Sequence, residues 1–274
     1  MNELALFAGA GGGILGGKLL GWRTVCAVEW EPYPASVLCA RQNDGLLPPF
    51  PIWDDVQTFD GKPWAGIVDV VSGGFPCQDI STAGGGEGIT GARSSMWKHM
   101  ARIIHEIRPK FVFVENSPNL TSRGLGVVLG DLATMGFDAK WGVLGAADVG
   151  APHQRDRIWI FANNISDTNC ESYAQRGIDH AVSETGGHGS VDKNGGGENV
   201  GGIIEPTKNE TLETEIRATI GNKDWWIYES SFPRVVDGVA ARVDRFKAIG
   251  NGQVPLCAAT AWRLLSEPRP TTIP

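Results

Sequence analysis

A doubly wound, mostly parallel α/β sheet is the fold this sequence predicts, on three observations. Apolar runs of strand length recur along the chain, helical patterns separate them, and a glycine-rich turn follows the first run. With 274 residues, 42% of them hydrophobic, the chain can fill one large core and carry an appendage.

The first run, "ELALFAG", reads as a buried strand, and "FAGAGGGILGGK" leads from it into a first helix. Glycines there let backbone amides approach a ligand at a helix N-terminus. A phosphate-binding loop needs GxxxxGK and then a hydroxyl; Gly12, Gly17 and Lys18 fit, but Leu19 offers no ligand for magnesium. A dinucleotide fold needs GxGxxG and an acid about 20 residues on, which Gly11, Gly13 and Gly16 with Glu29 or Glu31 satisfy. S-adenosylmethionine needs the same cradle and the same acid for its ribose, and Trp30 could stack on adenine. The turn alone leaves the last two readings open.

"TVCAVE" is the second strand. "DVVSGG" is a third, and it runs into "SGGFPCQDIS", where Pro76 fixes the backbone before Cys77 and a loop containing Gly84, Gly85, Gly86, Gly88 and Gly91 follows. In "SSMWKHMARIIHEI", Met96, Trp97, Met100, Ile103, Ile104 and Ile107 share one helical face, a core-facing pattern. "KFVFVEN" is the next strand, and its end brings Glu115 and Asn116 to the sheet edge where Cys77 lies. A lone cysteine is most often a small buried hydrophobe. A thiol and a carboxyl converging at strand ends instead suit nucleophilic attack with proton donation. "RIWIFAN" is the last strand of the series, entered through Arg155 and Arg157.

Composition changes at Asn163. From there to Phe232, twelve acidic residues face five basic ones, and the centre, "GGHGSVDKNGGGENVGG", favours flexible loops over regular structure. Order returns with "RVVDGVAARVDRFKAIGNGQVPLCAATAWRLL", which ends in a helical pattern. The expected organisation is a catalytic and cofactor-binding domain over residues 1–162, a small inserted region over 163–232 and a C-terminal segment over 233–274 that completes the domain.

A formal charge of −7 excludes general affinity for polyanions, so any nucleic-acid contact needs local positive charge. Five cysteines, odd in number and without a CxxC pair, argue against a disulfide framework or a zinc site, and the five histidines lack partners at ligand spacing. No metal is expected. No apolar run approaches the roughly 18 residues of a membrane span. The expectation is a soluble, cytoplasmic protein with no membrane contact.

Taken in order, "LFAGAGGG", "VEW", "DDV", "GGFPCQ", "FVFVENS", "HQRDRIWIFA" and "IGNGQVP" resemble the motif series of the DNA (cytosine-carbon-5) methyltransferases of bacterial and phage type. The resemblance covers roughly residues 4 to 162 and 234 to 258. It implies a Rossmann-like fold dependent on S-adenosylmethionine, with residues 163–232 as the target-recognition region, and double-stranded DNA as substrate. It also implies the catalytic strategy. Carbon 5 of cytosine is too weak a nucleophile to accept a methyl group directly, so the family adds a cysteine thiolate to carbon 6 of a flipped-out base. By resemblance Cys77 is that nucleophile, Glu115 meets N3 of the ring, and Arg157 holds O2 and orients Glu115. Arg155 supports the site or a phosphate, and Asn116 orders the loop around Cys77. Cofactor roles carry over to Phe7, Gly9, Gly11, Glu29, Trp30, Asp55, Val56, Pro76 and Asn251. A monomer is expected, and a cognate restriction enzyme is a partner that the resemblance allows.

The chain departs from the family in two places. Pro152 is followed by His153 and Gln154, where members commonly carry glutamine directly after the proline. The target-recognition region is brief, glycine-rich and strongly acidic, an awkward surface for DNA. Phosphate contacts are therefore expected on the catalytic rim, from Arg93, Arg102, Arg123, Arg155 and Arg157 before that region and Arg234, Arg242, Arg245 and Lys247 after it.

Overall fold

The computed structural model describes residues 1–76, 95–165 and 242–267. Cys77, its loop and all of the 163–232 region beyond Ile165 lie outside them.

Seven strands form one sheet in the order β3-β2-β1-β4-β5-β7-β6. They are β1 (Asn2–Leu6), β2 (Arg23–Val28), β3 (Ile52–Trp53), β4 (Val70–Gly73), β5 (Phe111–Asn116), β6 (Phe137–Leu144) and β7 (Arg157–Asn164). Strands β1 to β5 pair in parallel, and β7 runs antiparallel to both neighbours, β5 and β6. The doubly wound, mostly parallel sheet expected from the sequence is therefore present. Two strands were not anticipated: β3 has only two residues, and β6, "FDAKWGVL", is an edge strand whose exposed Asp138 and half-buried Lys140 break up its apolar run. Strand β7 continues to Asn164, so the segment drawn from residue 163 begins inside it.

Helices cover both faces. On one face α3 (Ser95–Ile107) places Trp97, Met100, Ile103, Ile104 and Ile107 against Leu4, Val71, Val112 and Ile160, with α5 (Leu125–Thr134) beside it. Met96 packs at the margin of that cluster. The other face carries α1 (Gly12–Leu19), α2 (Pro32–Asn43) and the last helix described, α7 (Pro255–Ser266). From α7, Trp262 sets its ring against Trp22, Phe111, Phe113 and Phe161, with centroids 4.5 to 5.5 Å apart. A short α4 (Leu120–Arg123) follows β5 and puts Leu120 into the cluster of α3 and α5, and α6 (Arg242–Asn251) leads into α7.

Strand order reverses between β1 and β4. A sheet of this kind opens a crevice beyond the carboxyl ends of its strands at that point. The ends of β1, β2, β4 and β5 meet there.

Candidate active site

A cavity of about 600 Å³ occupies this crevice, within the size range of small-molecule sites. Most of the residues singled out from the sequence line it: Phe7 and Gly9 after β1, Glu29 and Trp30 after β2, Asp55 and Val56 after β3, Pro76 after β4, Glu115 and Asn116 at the end of β5, Arg157 at the start of β7, and Asn251 at the end of α6. Phe7 enters it with a left-handed φ of 52°, which is unusual for a residue with a side chain and fixes where its ring points. Asp54, beside Asp55, lines the cavity too.

Glu29 is buried, and its carboxylate organises the floor. The Gly9 N–H donates to Oε2 at 2.6 Å and the Glu31 N–H donates to Oε1 at 2.7 Å, short distances typical of charge-assisted bonds. Burial nevertheless pushes the carboxyl above its ordinary value, with the two backbone donors opposing that. Each oxygen keeps a lone pair for a ligand hydroxyl. Trp30, 68% exposed, leaves an indole face open to the cavity.

Charge on the walls narrows the ligand. Glu29, Glu31, Asp54, Asp55, Glu115 and Asp244 outnumber the cations Arg157 and Lys247, and Lys247 is itself paired with Glu31 at 2.7 Å. Such walls suit a cationic ligand and repel a diphosphate. The fingerprint glycines serve the protein itself. Gly11 makes the turn into α1 at φ 92°, while a Cβ on Gly13 would meet Gln253 and one on Gly16 would meet Ala258. With the C-terminal segment seated there, the dinucleotide reading loses its phosphate site. The residues present fit S-adenosylmethionine: an acid with free lone pairs, an open aromatic face and a surplus of negative charge for a sulfonium.

Glu115 and Asn116 turn opposite sides of β5's end to different uses. Glu115, buried, pairs through Oε1 with Nε of Arg157 at 2.8 Å. Burial raises its carboxyl above the ordinary value, and the guanidinium groups of Arg157 and Arg155 pull against that rise. The Asn116 amide donates to the Phe75 carbonyl at 3.0 Å, holding the backbone two residues before Cys77. Arg155 does not line the cavity; it donates to the carbonyls of Gly250 and Gly252, each at 2.6 Å, and so presents Asn251 to the site.

Three arginines expected to meet phosphates are thus engaged inside the protein. Arg157 and Arg155 serve as above, and Arg102 spends its guanidinium on Glu106 and the carbonyls of Val56, Gln57 and Phe59. Among the described thiols, burial pushes Cys26 up to about 11 and Cys257 up to about 12, which makes both poor nucleophiles. No group of three or more potential metal ligands occurs among the described residues, nor any helix long and apolar enough to cross a membrane.

Residues 1–193 match the family described as C-5 cytosine-specific DNA methylase. The Type II methyltransferase M2.BsuMI of Bacillus subtilis (strain 168) is 30% identical over 199 residues, which cover 70% of this chain and 48% of that protein. For the Type II methyltransferase M.HhaI of Haemophilus parahaemolyticus the identity is 32% over 175 residues, 62% of this chain and 51% of that one. A crystal structure of the S. pombe Dnmt2 methyltransferase aligns with a TM-score of 0.49 at 19% identity, over 60% of this chain and 50% of that chain. The chain spans about half the length of the curated relatives it matches.

Proposed function

The chain belongs to the C-5 cytosine-specific DNA methylase family, and from that premise we propose that it methylates carbon 5 of cytosine in double-stranded DNA. The methyl donor is S-adenosylmethionine, and the route is a covalent adduct between Cys77 and carbon 6 of a base flipped out of the duplex. The observation that carries this reading is the pairing of buried Glu115 with half-buried Arg157 at the cavity that also holds Glu29 and Trp30.

The residues divide the work as follows. Glu29 takes the ribose hydroxyls, Trp30 covers the adenine, Asp55 and Val56 border its edge, and Phe7, Gly9, Pro76 and Asn251 complete the enclosure. The cofactor supplies an electrophilic methyl group on sulfur. Cys77 adds to carbon 6, and the electron density displaced through the ring is met at N3 by a proton held on Glu115. Burial raises that carboxyl above its ordinary value, so it takes up a proton more readily than an exposed one, which suits it to exchange a proton with the base. Arg157 fixes the carboxyl from one side through Nε, gives an Nη1 N–H to the Asp156 carbonyl, and keeps Nη2 for the base oxygen. Arg155 fixes the loop that carries Asn251, and Asn116 fixes the backbone that delivers Cys77. Residues 163–232 are proposed to choose the target site; their acidic charge leaves phosphate contacts to the rim.

The test uses duplex DNA containing 5-fluorocytosine, incubated with the protein and S-adenosylmethionine. Fluorine cannot leave carbon 5 as a proton does, so the adduct is trapped and migrates as a covalent complex in denaturing gels. Cys77→Ser is expected to abolish it. A trapped complex of undiminished yield in that variant would remove Cys77 from the mechanism.

A further inference from the structure

The motif "GNGQVP" contributes Asn251 to the cavity, but its glutamine has no part in the reading above. Gln253 is not among the residues lining the cavity; it reaches over Gly13 and Gly74 toward the carboxyl of Glu115. Its Nε2 stands 3.5 Å from Oε2 of Glu115, the oxygen that Arg157 leaves free.

We propose that Gln253 is a positioning residue for Glu115, bracing the carboxyl opposite Arg157 and offering it a partner in both of its protonation states. This rests on the reading of Glu115 as the group that exchanges a proton with the base. Such a group is charged at one stage of turnover and neutral at another, and in a buried site each state needs its own complement. Arg157 has donors only and can satisfy the carboxylate alone. A glutamine amide has a donor end and an acceptor end. It donates to the carboxylate as it stands, and turned over it accepts the O–H of the acid.

Room for that turn is built into the neighbours. A Cβ on Gly74 would collide with the Glu115 carboxylate and come within 3.2 Å of Nε2, while one on Gly13 would lie 2.5 Å from Oε1. Glycine at both places keeps the amide's two ends clear. A side cavity of about 30 Å³ adjoins Gln253, Glu115, Gly13 and Gly74, large enough for about one water. The backbone, by contrast, is held: Arg155 grips the carbonyls of Gly250 and Gly252, and the Gln253 carbonyl fills the space that a Cβ on Gly12 would need. A fixed backbone carrying a side chain with clearance is what a two-state partner requires.

The carboxyl titration of Glu115 tests this without DNA or cofactor, read by ¹³C NMR in the free protein and assigned with Glu115→Gln. Gln253→Met keeps the volume and removes the amide. Its Glu115 midpoint is expected to rise by about 0.5 to 1 pH unit, because a donor to the charged form is gone. Gln253→Glu sets a like charge there and is expected to raise the midpoint further; it carries the titration if the methionine variant does not fold. In the methylation assay, Gln253→Met is expected to lower kcat about tenfold while the KM for S-adenosylmethionine changes less than about twofold. An unshifted midpoint in a folded variant overturns the proposal. A parent protein that fails to methylate cytosine would overturn the proposed function instead, and the titration still decides whether Gln253 governs the carboxyl.

Discussion

Replacing Glu29 by glutamine separates its two tasks, holding the protein's own backbone and holding a ligand. In the parent the carboxylate accepts N–H groups from Gly9 and Glu31 at 2.6 and 2.7 Å. Glutamine has one acceptor oxygen, so whichever way the amide lies, one of the two backbone donors faces another donor. Losing a hydrogen bond to a charged group costs about 1.5 to 3 kcal/mol. Burial already disfavours the charge on Glu29, so removing it returns part of that cost, and a net loss of about 1 to 2 kcal/mol is expected. For a chain of this size that lowers the unfolding midpoint by about 2 to 8 °C without any ligand. Affinity for S-adenosylmethionine is expected to fall as well, by roughly ten- to a hundredfold, since the charge-assisted bond to the ribose proposed for Glu29 is lost. Differential scanning calorimetry of the free protein and isothermal titration with S-adenosylmethionine measure the two effects separately. In the parent, affinity is also expected to drop on acidification at a pH above the ordinary carboxylate range, because the raised carboxyl protonates early; the variant lacks this limb. Equal midpoints and equal affinities for parent and Glu29→Gln would refute the account of Glu29.

Two further substitutions test the scaffold. Glu3, fully buried under hydroxyl bonds from Thr24 and Ser72, is pushed by burial up to about 7; since the unfolded chain titrates near 4.3, its contribution is complete below about pH 4 and is lost as pH rises to 7, a change of about 3 kcal/mol. Urea unfolding across pH 4.5 to 8 should therefore show Glu3→Gln gaining stability relative to the parent as pH rises, and parallel curves would contradict the burial argument. Trp262→Ala removes the ring that touches four other aromatic rings, and a loss of about 3 to 5 kcal/mol is expected in the same assay; a loss under about 1 kcal/mol would show that α7 is not needed to close that face.

The strands legible in the sequence were those buried on both faces, where runs such as "FVFV" and "IWIF" leave no polar interruption. Strand β6 escaped because an edge strand can expose Asp138 and half-bury Lys140 without cost, and β3 because two residues carry no period. At the site, the residues on strand ends were legible through their motifs, and the cavity brings most of them together. What the sequence hid was the second meaning of its glycines: a missing side chain reads alike whether a ligand or another part of the protein comes close, and at Gly12, Gly13 and Gly16 it is the C-terminal segment that does. Arg155 was ambiguous for a related reason. Its partners are the backbone carbonyls of Gly250 and Gly252, acceptors that every residue possesses and no pattern announces.

That C-terminal segment reaches the sheet from far along the chain, and protein synthesis runs in one direction. By the time α6 and α7 are translated, everything through β7 has been in existence for on the order of ten seconds at ordinary elongation rates. Throughout that interval Phe111, Phe113 and Phe161 have no Trp262 to cover them, and the glycines of α1 have no Gln253 above them. The nascent chain thus carries an open aromatic face and an unbraced Glu115, at once sticky and catalytically unassembled. The site is completed late, when the ribosome delivers the piece that closes both.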